Sequence, residues 1–338
     1  MTRASRERRP RWCTVVAQTG AVPTDAAAPR RDASPRVVVL GSINADLFAR
    51  VERHPRPGET VLGSGGEVRA GGKGANQAVA AALSGASVAM IGAVGDDAYA
   101  ATALAGLVRS GCDVDGVRRV PGPTGLALIT VAADGENSII VLPGANAQVG
   151  DPEVARLAGL RERDVVVLQG EIPPAALEAA SRAAHDAGAR LVINLAPVID
   201  VSVEAVRRAD PLVVNAHEGA GAAALLGAGA GADADPAELV QALCRAGVPS
   251  VVMTLGAQGA LVADDAGTSA VPAVPARVVD TTGAGDAFVG ALAAGLAAGR
   301  PLREAAGAAA AFASAACGSV GAQDSYPDAR AQVPSPRS

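Results

Sequence analysis

The 338-residue sequence contains few aromatic residues, few cysteines and a single lysine. Phe, Tyr and Trp make up 2% of the chain, whereas hydrophobic residues together make up 49%, so the core must be built from aliphatic side chains. The four cysteines are far apart and form neither a CxxC pair nor a cluster with histidine, which excludes a disulfide-rich miniprotein. We therefore expect reduced, mostly buried cysteines and a cytoplasmic protein.

Charge and hydropathy argue against two classes of partner. The net charge is -5, unlike that of a protein that binds nucleic acid by neutralising phosphates. The apolar runs that approach the roughly 18 residues of a membrane helix are alanine-rich and too weakly apolar to be confident spans. We expect neither a nucleic-acid partner nor a membrane partner, and small-molecule chemistry is favoured.

The two ends of the chain differ in composition from the rest. Residues 1–35 are rich in Arg, Ala and Pro and have no hydrophobic period. This predicts a disordered basic extension or a start codon placed too far upstream. A targeting arm is the alternative, because transit peptides are Arg-rich and poor in acidic residues. Residues 331–338 are predicted to form a Pro/Ser tail.

Between these ends, short Val/Ile/Leu runs alternate with longer alanine-rich stretches. The runs predict strands buried on both faces at 37–40, 87–91, 165–168, 191–194, 212–214 and 250–255. The stretches predict helices at 75–84, 98–110, 174–187, 236–246, 284–298 and 302–316. This alternation predicts an α/β fold with a mostly parallel sheet and helices on both faces. Residues 47–70 and 124–142 instead predict a small antiparallel sheet.

The glycine-rich segments do not match the two commonest nucleotide-binding loops. Around Lys73, Glu67 and Gly74 occupy the positions where a P-loop needs Gly and Ser or Thr. The first predicted strand runs into Gly-Ser-Ile-Asn at 41–44, without the dinucleotide fingerprint. A P-loop enzyme is excluded and an NAD enzyme is disfavoured.

The strongest local signal is Asp-Thr-Thr-Gly-Ala-Gly-Asp-Ala-Phe at 280–288. Gly283, Ala284, Gly285 and Asp286 would form the first turn of a long helix, where free N–H groups and the helix dipole make an anion hole. Asp286 would then be placed to take the proton of a hydroxyl that attacks a phosphate. A carboxylate that only complements the helix dipole is the alternative reading.

Two further segments carry candidate binding residues. Asn44 and Asp46 follow the first strand, where open α/β sheets bind ligands, although short polar side chains also cap turns. Lys73 lies in Gly-Gly-Lys-Gly-Ala-Asn at 71–76 and is the only lysine. This usage favours a site that needs a compact ammonium group. A lysine retained by chance is the alternative.

Together these segments resemble the ribokinase (PfkB) family of ATP-dependent sugar and nucleoside kinases. The matching motifs are Gly-Ser-Ile-Asn-Ala-Asp at 41–46, Pro-Gly-Glu-Thr at 57–60, Gly-Gly-Lys-Gly-Ala-Asn-Gln-Ala at 71–78, Thr-Leu-Gly at 254–256, 280–288 and Val-Gly-Ala-Gln at 320–323. The resemblance implies a kinase domain over 36–330 with a three-layer α/β/α fold. It also implies a β lid, formed from about 47–70 and 124–142, that covers the sugar and pairs with the lid of a second subunit in a homodimer.

The resemblance further implies ATP-dependent phosphorylation of D-ribose at O5, with Asp286 as general base and the 283–286 amides as anion hole. It implies sugar contacts from Asn44, Asp46, Gly72, Lys73, Gly74, Asn76, Glu171 and Asp286. It implies ATP contacts from Asn215, Thr254, Gly256, Gly259 and Gly285. It assigns Mg²⁺ to Glu218, through water, and K⁺ to Asp280, Thr282, Ala316, Ser319, Gly321 and Ser325.

Two alternatives to this function remain at the level of sequence. One is a related kinase for another sugar or for a nucleoside, and the other is a catalytically idle sugar-binding protein. Two positions also depart from the family pattern. Ala310 stands where a polar residue often meets adenine, and Gly170 stands where a larger residue is common.

Overall fold

The computed structural model describes residues 35–231 and 234–332. Nearly all of the predicted N-terminal extension and most of the predicted tail lie outside the described residues. The strands are β1 (Arg36–Leu40), β2 (Asn44–Arg50), β3 (Ser64–Gly71), β4 (Ser87–Val94), β5 (Asp113–Arg119), β6 (Gly125–Val131), β7 (Asn137–Leu142), β8 (Val165–Gln169), β9 (Arg190–Asn194), β10 (Leu212–Asn215), β11 (Val251–Thr254), β12 (Ala260–Asp264) and β13 (Gly267–Val271). The α-helices are α1 (Lys73–Leu83), α2 (Tyr99–Ser110), α3 (Asp151–Val154), α4 (Pro174–Asp186), α5 (Val203–Arg207), α6 (Ala216–Leu225), α7 (Pro236–Arg245), α8 (Ala284–Ala297) and α9 (Leu302–Ala316).

The main sheet has the strand order β13-β12-β11-β10-β9-β8-β1-β4-β5 within the described residues. The seven neighbouring strands β11, β10, β9, β8, β1, β4 and β5 are parallel to one another. Strands β12 and β13 close one edge of the sheet as an antiparallel hairpin. Strands such as β8 are buried along their whole length, which explains their continuous Val and Leu runs. The predicted α/β fold with a mostly parallel sheet is confirmed.

Two hydrophobic cores lie on opposite faces of this sheet. One is formed with α1, α2, α8 and α9, and the other with α4 to α7. Small residues let the helices of the first core approach closely: a β-carbon on Gly290 of α8 would overlap the Gln77 carbonyl of α1. This close approach brings the first turns of α1 and α8 together at one edge of the sheet.

A second sheet, here called the lid sheet, has the order β3-β2-β6-β7. It occupies most of the two regions from which a small antiparallel sheet was predicted. The β2–β3 and β6–β7 pairs are antiparallel, whereas the central β2–β6 pair is parallel. The parallel pair arises because β2 and β6 belong to different hairpin-like units, joined by a long crossover through α1, β4, α2 and β5.

The structure adds elements that the sequence patterns did not predict. Strand β5 carries several charged residues and has no continuous apolar run, and β13 is mostly exposed at the edge of the sheet beside β12. Part of the Ala/Gly-rich segment 219–235 belongs to α6, which begins at Ala216 because Asn215 and Glu218 cap it reciprocally. Within the described residues no helix is long and apolar enough to cross a membrane.

Candidate active site

Three neighbouring cavities lie at the carboxyl ends of the central strands. The lid cavity, of about 680 Å³, is lined by Asn44, Lys73, Ile139, Val141, Asn146, Glu171, Glu218 and neighbouring residues. The central cavity, of about 170 Å³, is lined by Lys73, Asn215, Glu218, Thr254, Gly283, Gly285, Asp286 and neighbouring residues. The outer cavity, of about 620 Å³, is lined by Thr254, Gly256, Gly259, Ala310, Gly285, Phe288 and others. The lid and central cavities share Lys73 and Glu218, and the central and outer cavities share Thr254 and Gly285, so the three cavities are neighbours.

Asp286 lies on the first turn of α8 and is 7% exposed. Its Oδ2 accepts a hydrogen bond of 2.9 Å from Nδ2 of Asn76, and its Oδ1 accepts one of 2.9 Å from Nε2 of Gln77. Gln77 Nε2 also donates to Oδ1 of Asn194 at 3.0 Å. The two amide donors fix the orientation of the carboxylate, and each oxygen keeps acceptor capacity for a further proton donor.

The backbone before Asp286, where an anion hole is predicted, has fewer free N–H groups than the sequence suggested. Gly283 adopts the left-handed conformation with φ of 72° and begins α8. The N–H of Ala284 donates to the Thr281 carbonyl at 3.1 Å. Among the described residues, no acceptor is found for the N–H groups of Gly283, Gly285 and Asp286. The N–H groups that remain free to bind an anion are therefore these three, at the positive end of the α8 dipole.

Asp46 lies on the first half of β2 and not in a loop, which places its carboxylate under the lid sheet. Its Oδ1 is buried and has no hydrogen-bond partner among the described residues. Burial, together with the nearby carboxylates of Glu171 and Asp286, raises the pKa of Asp46 to about 7. A buried oxygen without a partner is costly, so this atom is suited to a ligand hydroxyl.

The other sugar-site candidates are held by hydrogen bonds within the chain. Glu171 Oε2 accepts from the Ser42 hydroxyl at 2.6 Å and from the Lys73 N–H at 3.1 Å. The Gly74 N–H donates to Ser42 Oγ at 3.2 Å, so Gly74 keeps no free N–H group for a sugar. Gly72 precedes α1 with φ of 88° and provides the turn that presents Lys73.

Lys73 lies between the lid cavity and the central cavity. The Asp286 carboxylate, together with Glu171 and Glu218, raises the pKa of Lys73, while burial lowers it. The ammonium group therefore remains charged among three carboxylates. It can compensate an anion that enters from the outer cavity.

Asn146 and Gln77 are site residues that sequence reasoning did not single out. Asn146 donates from Nδ2 to Oδ1 of Asn44 at 2.7 Å and accepts from the Ile43 N–H at 2.9 Å. Its position directly after β7, in a Pro-Gly-Ala-Asn turn, is a weak signal that only the fold makes meaningful. Gln77 lay inside a recognised motif, but its contact with Asp286 depends on how closely α1 and α8 pack.

The nucleotide-side candidates divide between two cavities. Thr254, Gly256, Gly259 and Gly285 line the outer cavity, and Asn215 lines the central cavity. Ala310 gives the outer cavity an apolar wall where relatives often carry a polar group. Gly170 lines the lid cavity, and a β-carbon there would overlap the Pro197 carbonyl, which explains why this chain lacks a larger residue.

The residue predicted to act on Mg²⁺ is Glu218. Glu218 lines the central cavity with Asp286, and its Oε2 accepts from the Asn215 N–H at 2.9 Å. Carboxylate oxygens beside a phosphate site fit Mg²⁺, which keeps several waters. Among the described residues, no cluster of three or more His, Cys, Asp or Glu side chains could hold a metal ion.

Asp280 is the one carboxylate among the predicted K⁺ ligands. Asp280 accepts from the Thr282 N–H and the Gly321 N–H, both at 2.8 Å. Burial raises the pKa of Asp280, but these hydrogen bonds outweigh it and hold the pKa below its usual range. Ser325 Oγ donates to the Ala322 carbonyl at 2.8 Å, and the Ala316 carbonyl accepts weakly from the Ser319 N–H at 3.5 Å. Such carbonyl and hydroxyl oxygens, with one carboxylate, fit a weakly hydrated monovalent cation.

Comparison with known proteins agrees with this arrangement. Residues 34–329 match the model of the pfkB family carbohydrate kinases. Ribokinase of Schizosaccharomyces pombe is 39% identical over 287 residues, which cover 79% of this chain and 87% of that protein. Ribokinase of Bacillus subtilis is 34% identical over 293 residues, which cover 86% and 96%.

A solved structure extends the similarity to the fold. The structure of Arabidopsis thaliana ribokinase complexed with ribose and ATP has a TM-score of 0.78 at 32% identity, and the match covers 88% of this chain and 96% of that one. The family predicted from the motifs is thereby confirmed. The chain belongs to the pfkB family of carbohydrate kinases.

Proposed function

We propose that this protein transfers the γ-phosphoryl group of ATP to O5 of D-ribose. The observation that carries the proposal is the position of Asp286, a buried carboxylate beside three free backbone N–H groups, where the lid-cavity and outer-cavity residues meet. A sugar in the lid cavity and a nucleotide in the outer cavity would meet at this carboxylate. Relatives named ribokinase support ribose as the sugar.

Asp286 acts as the general base. The O5 hydroxyl of ribose gives its proton to the free acceptor positions of the carboxylate while its oxygen attacks the γ-phosphorus. The new bond joins O5 to phosphorus, the bond from phosphorus to the β,γ-bridging oxygen breaks, and ADP leaves. Asn76 and Gln77 donate to the two carboxylate oxygens and hold the carboxylate in position for the incoming proton.

The anion hole and Lys73 stabilise the charge that moves during transfer. The N–H groups of Gly283, Gly285 and Asp286 donate to phosphoryl oxygens, and the Lys73 ammonium lies on the sugar side of the same cavity. Removing one such donor in other enzymes costs about 2.7 to 4 kcal/mol of transition-state stabilisation. Mg²⁺ beside Glu218 would neutralise phosphate charge, and K⁺ beside Asp280 would order the loop that leads to the hole.

The sugar is oriented by polar groups under the lid sheet. The unpartnered Oδ1 of Asp46 accepts a ring hydroxyl, and the amides of Asn44 and Asn146 form a pre-organised pair beside it. Glu171 is fixed by Ser42 and accepts a further hydroxyl. Side chains of Ile139 and Val141 line the same cavity and exclude water from the bound sugar.

An assay of ribose-dependent ADP release tests the reaction. The wild-type protein with ATP, Mg²⁺ and K⁺ is expected to release ADP only when ribose is added. Asp286→Asn keeps the side-chain size but cannot accept the proton, so kcat should fall at least 100-fold. Asp265→Asn, an exposed position in the β12–β13 turn, is the matched control and should retain wild-type turnover. Near-normal activity of Asp286→Asn would contradict the assigned role.

A substrate panel separates the proposed function from its alternatives. Ribose should give the highest kcat/KM among pentoses, ketohexoses, deoxyribose and nucleosides, because buried polar groups left unpaired by another substrate cost binding free energy. A higher value for another sugar or for a nucleoside would reassign the substrate. Calorimetric binding of ribose without turnover of any substrate would indicate a sugar-binding protein.

The assembly and the compartment are also proposals. The exposed strand β7 supports a homodimer formed through the lid sheets. The free thiols of Cys112, Cys244 and Cys317 support a reducing compartment such as the cytoplasm.

A further inference from the structure

The turn that follows α9 carries two buried side chains, Gln323 and Tyr326, that have no part in the mechanism above. Residues 321–326, here called the C-terminal turn, include a 3₁₀ helix at Gln323–Ser325. Its side chains Gln323 and Tyr326 are 6% and 7% exposed. Buried polar side chains are costly unless hydrogen-bonded, so their partners indicate what the turn holds in place.

Tyr326 holds the residue that begins the anion hole. Its hydroxyl donates to the Gly283 carbonyl at 2.9 Å, and the same carbonyl accepts the Ala287 N–H at 2.8 Å. Both acceptor positions of that carbonyl are therefore used, which fixes the peptide plane at the start of α8. This plane also carries the Ala284 N–H, and it is the first peptide of the helical turn whose next two peptides carry the free N–H groups of Gly285 and Asp286.

The tyrosine ring is itself held in a packed position. It lies 6.1 Å from the Phe312 ring of α9, at an interplanar angle of 59°. A β-carbon on Gly283 would come within 2.8 Å of the Tyr326 hydroxyl oxygen, so the contact also requires glycine at 283.

Gln323 acts on the general base Asp286 through the side chain of Asn76. Its Nε2 donates to Oδ1 of Asn76 at 2.9 Å, and Nδ2 of Asn76 donates to Asp286 at 2.9 Å. Because the Asn76 oxygen is occupied by Gln323, the amide NH₂ must face the carboxylate. A rotated Asn76 amide would instead turn its oxygen toward Asp286 and repel it.

Asp280 ties the C-terminal turn to the loop before α8. One carboxylate oxygen accepts the Gly321 N–H at the start of the turn, and the other accepts the Thr282 N–H next to Gly283. Together with the Tyr326–Gly283 contact, this closes a ring of hydrogen bonds. The turn and the anion hole therefore move as one unit.

We propose that Tyr326 and Gln323 are positioning residues: they hold the anion hole and the general base Asp286 in the correct relative position. This inference rests on the proposed phosphoryl transfer at Asp286. Neither side chain lines the three cavities, whereas both contact groups whose direction matters in the transition state. Their loss should therefore lower kcat and leave substrate binding nearly unchanged.

Kinetics of hydroxyl and amide deletions test the proposal. Tyr326→Phe removes one oxygen, and we expect kcat per folded molecule to fall about tenfold with KM for ribose and ATP within twofold of wild type. Tyr99→Phe, at the only other tyrosine, is the matched control and should leave kcat unchanged. Gln323→Met should lower kcat by a similar factor, with Gln241→Met on the exposed side of α7 as its control.

A double variant tests whether the two residues act on one unit. If they do, Tyr326→Phe combined with Gln323→Met should lose less kcat than the product of the single losses. Circular dichroism of each variant gives the folded fraction, so a folding defect is separated from a kinetic one. Unchanged kcat in Tyr326→Phe, or a change in KM alone, would overturn the proposal. Absence of ribose-dependent turnover in the wild type would instead overturn the proposed function.

Discussion

The pKa of Asp46 shows how strongly the surroundings of a single residue can change its chemistry. Burial, with Glu171 and Asp286 nearby, raises the pKa of Asp46 to about 7 from a usual value near 4. The raised pKa means that the folded protein binds a proton that the unfolded chain releases. The contribution of Asp46 to stability is thus complete below about pH 4 and is lost as the pH rises through about 7.

The raised pKa of Asp46 also predicts that kcat/KM for ribose depends on pH. Ionised Asp46 accepts hydroxyl hydrogens better than the protonated form, so kcat/KM for ribose should rise with pH and level off above about pH 7. Below that pH the value should fall by up to about tenfold per pH unit. A pH series of initial rates at low ribose measures this.

Asp46→Asn provides the comparison, since it cannot titrate. The variant should have a lower kcat/KM and lack the inflection near pH 7. An inflection that persists in Asp46→Asn would assign the titration to another group.

At the scale of elements, the site is made where strand ends and helix starts meet without side-chain obstruction. Strand β3 ends at Gly71, where a β-carbon would overlap the Asp46 carboxylate on the neighbouring strand β2. Helix α8 starts at Gly283 with φ of 72°, a conformation that a side chain disfavours. These glycines thus set the space and direction of two functional carboxylates.

Gly71→Ala should separate sugar binding from stability. The added methyl group displaces the Asp46 carboxylate, so KM for ribose should rise about tenfold, a loss of about 1.4 kcal/mol. The control is Gly307→Ala on α9, where a β-carbon meets no atom within 4 Å and where alanine favours the helix. Steady-state kinetics with ribose as the varied substrate measure both variants. An unchanged KM in Gly71→Ala would show that Asp46 does not bind the sugar.

At the scale of the whole molecule, β7 forms one edge of the lid sheet and leaves a row of apolar side chains exposed. Ile139 and Val141 line the lid cavity, and Ile140, which is 58% exposed, alternates to the opposite face. An open apolar edge strand readily pairs with another chain. This is the surface through which we propose that two copies associate.

Light scattering tests the proposed dimer. The wild-type protein should show twice the chain mass at micromolar concentration. Ile140→Lys should shift it toward the monomer, because the interface would bury an unpaired charge. Val108→Lys, at a 61% exposed position on α2, should remain dimeric. A monomeric wild-type protein would contradict the dimer.

The sequence was most informative where local chemistry is strong. Helices α1, α2, α4, α7, α8 and α9 begin and end within two residues of the predicted bounds, because alanine-rich stretches and their caps are local signals. The charged strand β5 and the short β12–β13 hairpin were missed because neighbouring strands, and not their own pattern, stabilise them.

For the site, the motifs alone predicted that Asp286, Lys73, Asp46 and the glycine turns around them are functional residues. Their chemistry needs a carboxylate, an ammonium group or a residue without a side chain, so the residue type itself is a signal. Only the tertiary structure decided which groups meet them. The Gln77 and Asn76 amides on Asp286, the Asn146 partner of Asn44 and the Tyr326 contact with Gly283 join residues 43 to 210 positions apart. Such contacts leave no local pattern, since each is formed by the approach of whole elements across the sheet.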